Sequence, residues 1–325
     1  MCSVLAQRHV GFEVILSDDG VTEMGPCIDD FSLIDQRVAI VHNINRGVSA
    51  ARNTGIDLAS GDFLLFSDAD DTVVPEWVIT MLNTQQSSGA DFVYCGHYSV
   101  GKDVIRAVPL PYVGLFANKE DILTRVIMPM LFFQYEHDDV HYKNILSTTW
   151  LGLYSKRIIS KHTIRFMETL RYAEDCQFNV EYISHCCSAC FDNHLLYWYH
   201  HYDYSAANHF QDNQWDALVL TCEAKKQFLI ANKIPESSWQ HENALQIMSY
   251  AIMAATSFVF DNHRNLSRKW RLVHSIVRDP YLAEALRKID VNRLCQKEKL
   301  QYWMFQKRLT ILLVGYKCLH LTLQR

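Results

Sequence analysis

Carboxylates gather at a few points of this 325-residue sequence, and their spacing limits the chemistry open to it. Asp18 and Asp19 close an apolar run in ILSDDG, and Asp68, Asp70 and Asp71 close another in LLFSDADD. A strand that runs straight into like charges is electrostatically poor unless the acids hold a cation or a hydroxyl-rich ligand. An ordinary turn competes as an explanation for residues 18–20. It competes less well for residues 68–71, where three acids crowd into four positions. A further pair, Glu174-Asp175 in YAEDCQF, stands just before a helical stretch. Acids there either cap amides and complement the helix dipole, or act as a general base.

The elements that must position these groups follow from the apolar pattern. Residues 12–16, 38–42, 63–66 and 92–94 are short apolar runs bounded by Asp, Gly or Ser, which predicts strands. Between the second and third, Val48, Ala51, Gly55, Leu58 and Ala59 recur at the spacing of one helical face. Residues 76–82 read the same way after Pro75, a good first-turn residue. Strands alternating with helices predict an α/β layer fold with a mostly parallel sheet. Such sheets bind ligands beyond the carboxyl ends of their strands, where this chain keeps its acids. Residues 101–150 are less regular, 155–190 turn helical, and 195–199 suggest a strand. Beyond about residue 206 strand signals fade, and 214–230, 242–260, 268–278, 281–294 and 297–323 read as helices.

Composition excludes several classes. The chain is 49% hydrophobic and 21% charged with only 7 Pro and 12 Gly, so it is neither mainly disordered nor collagen-like. A net charge of −5 gives no global field for nucleic acid, and no nucleic-acid partner is expected. Ten scattered cysteines suit a reduced, cytoplasmic chain better than a disulfide scaffold. No signal peptide or spanning segment is visible. The stretch 308–325 is apolar with basic ends; it is either a packed terminal helix or a peripheral contact on the inner face of the plasma membrane.

Two enzyme classes own the string DADDTV. In the haloacid-dehalogenase-type phosphatases it would be the nucleophile loop, but their later Gly-Asp pair is missing: the Gly-Asp here, Gly61-Asp62, lies upstream. The second class uses D-x-D to hold a divalent metal against a nucleotide diphosphate. The runs FEVILSDDGVTE and HNINRGVSAARNTGIDLASGDFLLFSDADDTVVPEWV closely resemble the nucleotide-binding half of the family 2 glycosyltransferases of the GT-A fold, over residues 12 to about 98. A weaker resemblance to the family's capsule and lipopolysaccharide sugar transferases runs through WLGLYSKRII and RYAEDCQFNVEYI to about residue 205.

The resemblance implies a domain at 1–205, with a nucleotide-binding half at 1–115 and an acceptor half at 116–205, followed by a helical region at 206–325. It implies an inverting transferase that moves sugar from a nucleotide-diphosphate donor to a saccharide or lipid-linked acceptor in surface-polysaccharide biosynthesis. Asp18 and Asp19 would contact base and ribose. The pattern N-x-G-x-S-x-A-R-N-x-G is met by Asn45, Gly47, Ser49, Ala51, Arg52, Asn53 and Gly55. Within it Gly47 would take a positive φ, Gly55 would let the helix approach the sheet, and Arg52 would sit near the nucleotide. Asp70 would bind Mg²⁺ or Mn²⁺, with Asp68 nearer the ribose and the metal's waters, and Asp71 would either orient the loop or face the donor sugar. Asp175 would be the base and Glu174 its neighbour.

Members of the family begin with another strand, the central one of the sheet. Here Ser3 to Gln7 resembles the last turn of the helix after it. Either the true start lies upstream, or the chain is a catalytically impaired remnant that at most binds a partner. Two neighbouring strands are then expected to lack their common partner. The cluster HCCSACFDNH is expected to hold buried cysteines along a helix rather than zinc, and the histidines at 137–141 to sit in a solvated loop. His200 and His201 are either a diphosphate contact or a pair at a strand end.

Overall fold

Asp18 ends a strand, Asp68, Asp70 and Asp71 fall between two strands, and Glu174 and Asp175 begin a helix. The computed structural model describes residues 1–8, 11–20, 30–132, 147–202, 213–260 and 266–309. Two units are distinguished, Met1–Asp203 and Tyr204–Arg325.

In the first unit, α1 (Cys2–Leu5) precedes β1 (Val14–Asp18), and α2 (Asp30–Ile34) precedes β2 (Val38–His42). β1 and β2 pair in parallel with Asp18 opposite His42, so both strands deliver polar ends to one edge. α3 (Val48–Leu58) then packs on β1, burying Ala50, Ala51 and Ile56. It leads to β3 (Phe63–Leu65), β4 (Thr72–Val73), α4 (Trp77–Ser88) and β5 (Phe92–Val100). Gly89, left-handed at φ 64°, ends α4 six residues beyond its expected limit. β6 (Ile105–Val108), β7 (Gly114–Phe116), α5 (Lys119–Asp121), a π-helical stretch at Ile122–Ile127 and α6 (Met128–Leu131) follow. After the 3₁₀ turn Thr149–Leu151 come β8 (Gly152–Ser155), α7 (Lys156–His162), α8 (Glu174–Ser184) and β9 (Ala189–His200).

The larger sheet has the order β3-β8-β5-β9-β4, with β6 added on β5 and β7 on β9. The α/β class is as expected, but the sheet is mixed rather than mostly parallel. Parallel pairing is confined to β1–β2 and β5–β9, and the other pairs are antiparallel. For one of these pairs the cause is connection length: parallel neighbours need a crossover of a dozen or more residues. Only four residues join β5 to β6, which therefore fold back as a hairpin. Among the described residues β1 pairs only with β2, and β3 only with β8, so each has an edge without a strand beside it. The Glu13 carboxylate bridges this gap at one end, accepting from the amides of Ser60 and Gly61 at 2.6 and 3.0 Å.

The core of this unit is aromatic. Tyr154 meets Phe92 at 5.3 Å and Tyr182 at 5.0 Å between centroids, and all three are buried. Each such ring contributes roughly 1.5–3 kcal/mol through burial. Their hydroxyls are partnered as well: Tyr154 donates to Asn179 at 2.6 Å and Tyr182 to the Asp91 carbonyl at 2.8 Å. Tyr182 and Asn179 lie on α8, so the contacts fix against the sheet the helix that begins with Glu174-Asp175.

Two local expectations change. α8 stops at Ser184, so the cysteines do not follow a helix: Cys186 is buried, Cys187 is exposed, and Cys190 lies on β9. A Cβ on Gly55 would meet nothing within 4 Å, so no close approach of α3 depends on that glycine. The histidines at 137–141 lie outside the described residues.

The second unit is helical: α9 (Gln214–Ala231), α10 (Gln240–Phe260), α11 (Leu266–Val277), α12 (Pro280–Arg287) and α13 (Gln296–Gln306). α10 packs against α9, α11 and α12, with Ala244, Met248, Ala251 and Ala255 buried. The helix expected over 281–294 ends at Arg287, because Asp290 caps a separate 3₁₀ turn at Val291–Arg293. Of the stretch 308–325, residues 310–325 lie outside the described residues. Among the described residues no helix is long and apolar enough to cross a membrane.

Candidate active site

Asp18 and Asp19 sit at the carboxyl end of β1 and hold the loop after β2. The Asp19 carboxylate accepts from the amides of Arg46 and Gly47, both at 3.0 Å. Asp18 accepts from the Gly20 amide at 3.1 Å and meets His42 Nδ1 at 3.0 Å. Gly20 is required here, since its φ is 76° and a Cβ would lie 2.7 Å from the Asn43 carbonyl oxygen. Gly47 takes the positive φ expected of it, 95°, and opens α3.

Arg52 on α3 is the hub of the site. Its guanidinium donates to Asp68 Oδ1 at 2.9 Å and to Asp175 Oδ1, and lies 3.6 Å from Glu174 Oε1. The Phe166 ring stands 5.3 Å from the guanidinium carbon, and the side chain is only 13% exposed. Burial disfavours the charge on Arg52, but Asp175, Asp68 and Glu174 outweigh that cost and hold its pKa above the ordinary arginine value. Resemblance placed this arginine beside a nucleotide; its partners here are the acids themselves.

The Glu174-Asp175 pair is aimed by its backbone. Ala173 precedes α8 in the left-handed region at φ 56°, a conformation that costs a non-glycine residue about 1–2 kcal/mol. Asp175 Oδ2 accepts from the Thr149 amide and hydroxyl, each at 3.1 Å. Burial pushes the Asp175 carboxyl up, while Arg52 and Thr149 pull against it. Burial, with Asp175 adding to it, pushes Glu174 up to about 7.

The Asp68–Asp71 loop is clamped to β9. Asp71 is buried, accepting from the Tyr197 hydroxyl at 2.9 Å and the His200 amide at 2.8 Å. The same Tyr197 oxygen accepts from the Asp68 amide at 3.0 Å, so one hydroxyl ties both ends of the loop. Burial pushes Asp71 up to about 7 despite these donors. Asp70 is exposed and Asp68 partly so, at 34%. Magnesium or manganese is commonly held by one or two carboxylates plus phosphate oxygens, and Asp68 and Asp70 fit that donor set. Among the described residues no group of three or more His, Cys, Asp or Glu could hold a metal.

The sequence reading missed three contributors: Thr149, Tyr197 and Trp150. Trp150 stacks on Tyr197 at 4.4 Å and on Tyr199 at 5.4 Å, walling the acid cluster on the side of β9. No motif marks them. An inward-facing hydroxyl on a strand rich in aromatics was the only available signal, and it is weak.

The chain is similar to known glycosyltransferases. The model of Glycosyl transferase family 2 matches residues 1–158. The chain is 32% identical over 179 residues to the uncharacterized glycosyltransferase EpsJ of Bacillus subtilis, covering 55% of this chain and 49% of that protein. The chain therefore spans about half the length of EpsJ. It is 24% identical over 312 residues to the putative glycosyltransferase EpsH of the same organism, covering 93% of this chain and 86% of EpsH. Among solved structures, S. aureus TarS 1-349 in complex with UDP-GlcNAc shares the fold at TM-score 0.62 and 13% identity, covering 94% of this chain and 85% of that one.

Proposed function

Because residues 1–158 are a glycosyl transferase family 2 domain, we propose that the chain is an inverting glycosyltransferase that uses a nucleotide-diphosphate sugar in surface-polysaccharide assembly. The acceptor is a saccharide or a lipid-linked saccharide, and the reaction takes place in the cytoplasm or at the inner face of the plasma membrane. Residues 1–115 are assigned to the donor and 116–205 to the acceptor. One observation carries the reading: Asp68 and Glu174-Asp175, far apart in sequence, converge on the single guanidinium of Arg52.

In this reading Asp175 takes the proton of the acceptor hydroxyl as its oxygen attacks the anomeric carbon. The bond from that carbon to the diphosphate oxygen breaks on the opposite face, and the diphosphate leaves with the electron pair. A base in this position contributes about 10²–10⁴-fold. Thr149 fixes one carboxylate oxygen and Arg52 the other, which orients the base before the acceptor arrives. Glu174, pushed up to about 7, is partly protonated near neutral pH and can donate to an acceptor hydroxyl. Asp18, Asp19, Arg52 and Asp68 make up the nucleotide side. Asp70 with Asp68 would hold Mg²⁺ or Mn²⁺, which when bound neutralises charge on the leaving diphosphate.

The test is hydrolysis and transfer from UDP-sugars with Mn²⁺, beside direct measurement of UDP binding; the TarS complex makes UDP-GlcNAc the first donor to try. Absence of both turnover and binding with every sugar nucleotide tried would sink the proposal. A second reading, a binding protein without turnover, is favoured by one observation: among the described residues β1 and β3 each have one edge without a strand beside it. It predicts nucleotide binding without product. The phosphatase alternative is set aside, since the family match includes the DADDTV loop.

A further inference from the structure

The net charge of −5 conceals a sharp division. Residues 204–325 carry 17 Lys and Arg against 10 Asp and Glu, a net of +7, while residues 1–203 carry 14 against 26, a net of −12. Two of these cations, Lys297 and Lys299, lie on α13, and a third, Lys307, caps it. Along this helix Lys297, Lys299, Leu300, Trp303 and Lys307 are exposed, whereas Glu298, Gln301, Met304 and Phe305 are buried. The exposed face repeats at the spacing of three and four residues, so these side chains form a stripe.

The single acid of the helix does not dilute that stripe. Glu298 is 5% exposed and accepts from the Cys295 amide at 2.8 Å, closing the helix N-terminus. What remains outside is a bulky apolar pair, Leu300 at 42% and Trp303 at 46% exposure, flanked by lysines, with Arg308 just beyond. α11 repeats the chemistry. Trp270 is 44% exposed and stacks on His274 at 6.0 Å between centroids; Arg271 and Arg278 are exposed, and Val273, Ile276 and Val277 are buried.

We propose that the exposed face of α13 docks this unit on an anionic lipid surface, with Leu300 and Trp303 entering the headgroup region and the surrounding lysines meeting lipid phosphates. Lysine stems cover apolar surface while their ammonium groups remain in the polar layer, and tryptophan favours the boundary between the two. A protein partner fits less well, because lysine is depleted from the cores of protein interfaces. Near an anionic membrane each lysine is worth roughly a fivefold gain in partition, attenuated by salt. This surface is distinct from residues 310–325 and uses no residue of the N-terminal unit, so loss of turnover and loss of docking are separate results.

Flotation of the full chain with vesicles tests it, using phosphatidylcholine alone and phosphatidylcholine mixed with phosphatidylglycerol. The chain should float with the anionic vesicles and not with the neutral ones, and raised salt should release it. L300S/W303S and K299E/K307E should each lower partition by at least about tenfold; K299E/K307E, at two exposed lysines, should keep the thermal midpoint of wild type, whereas L300S/W303S, whose side chains are more than half covered, should lower that midpoint while keeping the helical circular-dichroism spectrum. Three results would overturn the proposal: equal flotation with neutral vesicles, anionic flotation that both double variants retain, or no flotation with anionic vesicles at low salt.

Discussion

Replacing Arg52 with Met tests whether one guanidinium holds the acid cluster together. The side chain is 13% exposed, and the carboxylates of Glu174 and Asp175 are 18% and 19% exposed, so the cluster is largely out of water. At 3.6 Å and an effective dielectric of about 20, a single such pair attracts by about 5 kcal/mol before desolvation is charged against it. Removing the cation alone therefore costs about 3–5 kcal/mol at pH 8.5, the usual range for breaking a buried pair. The carboxylates can reduce that cost by taking up protons, each pKa unit being worth about 1.4 kcal/mol. Their folded pKa values in the variant lie above their unfolded values near 4, so the folded state binds more protons between the two. Stability then falls as pH rises through that window. Wild type has a shallower slope of the same sign, from Glu174 and Asp71 near 7. The gap between the two proteins should widen from about 1–2 kcal/mol at pH 5.5 to the full value at pH 8.5. Urea unfolding monitored through the buried Trp77 and Trp150 measures it. A difference below about 1 kcal/mol at pH 8.5, or one independent of pH, refutes the assignment of Arg52 as the neutralising hub. Arg52→Lys should recover part of the stability, since an ammonium keeps the charge but not the fork that reaches two carboxylates at once.

Three other outcomes follow from the site. Asp175→Asn should lower transfer about 10²–10⁴-fold while leaving nucleotide affinity within about threefold, read from initial rates beside calorimetry. Asp70→Asn should weaken nucleotide binding in Mn²⁺ by at least about tenfold, because a two-carboxylate site loses half its charged ligands; equal affinity with and without Mn²⁺ in wild type would contradict this. Tyr197→Phe removes the hydroxyl shared by the Asp68 amide and Asp71, at a cost of about 1–3 kcal/mol. In a unit of this size that lowers Tm by roughly 2–12 °C, and an unchanged melting curve would mean that the clamp is dispensable.

How far the sequence disclosed this arrangement depends on the range of each interaction. β2 emerges with the bounds read from its apolar run, and α3 one residue short of its reading, because periodicity is a local property of the chain. Sheet order is not local. That β8 sits between β3 and β5 requires pairing across about sixty to ninety residues, and nothing in GLYS announces it. The expectation of a mostly parallel sheet failed for this reason: strand–helix alternation was extrapolated past residue 94, into a region where hairpins and long returns take over.

The site divides along the same line, and the division says what kind of residue a motif can reveal. Asp68, Asp70, Glu174 and Asp175 were legible because a carboxylate at a strand or helix end is costly without a ligand or partner, so its mere presence is informative. Arg52 was legible as a charge but not as a hub, since its meaning depends on a loop and a helix start that arrive from 16 and 123 positions away. Thr149 and Tyr197 were invisible, because a threonine before a strand and a tyrosine within one are favourable for folding in any case. Their hydroxyls come to hold the two acids only because the fold turns them toward Asp175 and Asp71. Motifs thus expose the groups that a fold tolerates with difficulty, and they pass over the groups that orient them at little cost. The orienting contacts, Thr149 on Asp175 and Tyr197 on Asp71, are therefore where variants with intact motifs should still lose function.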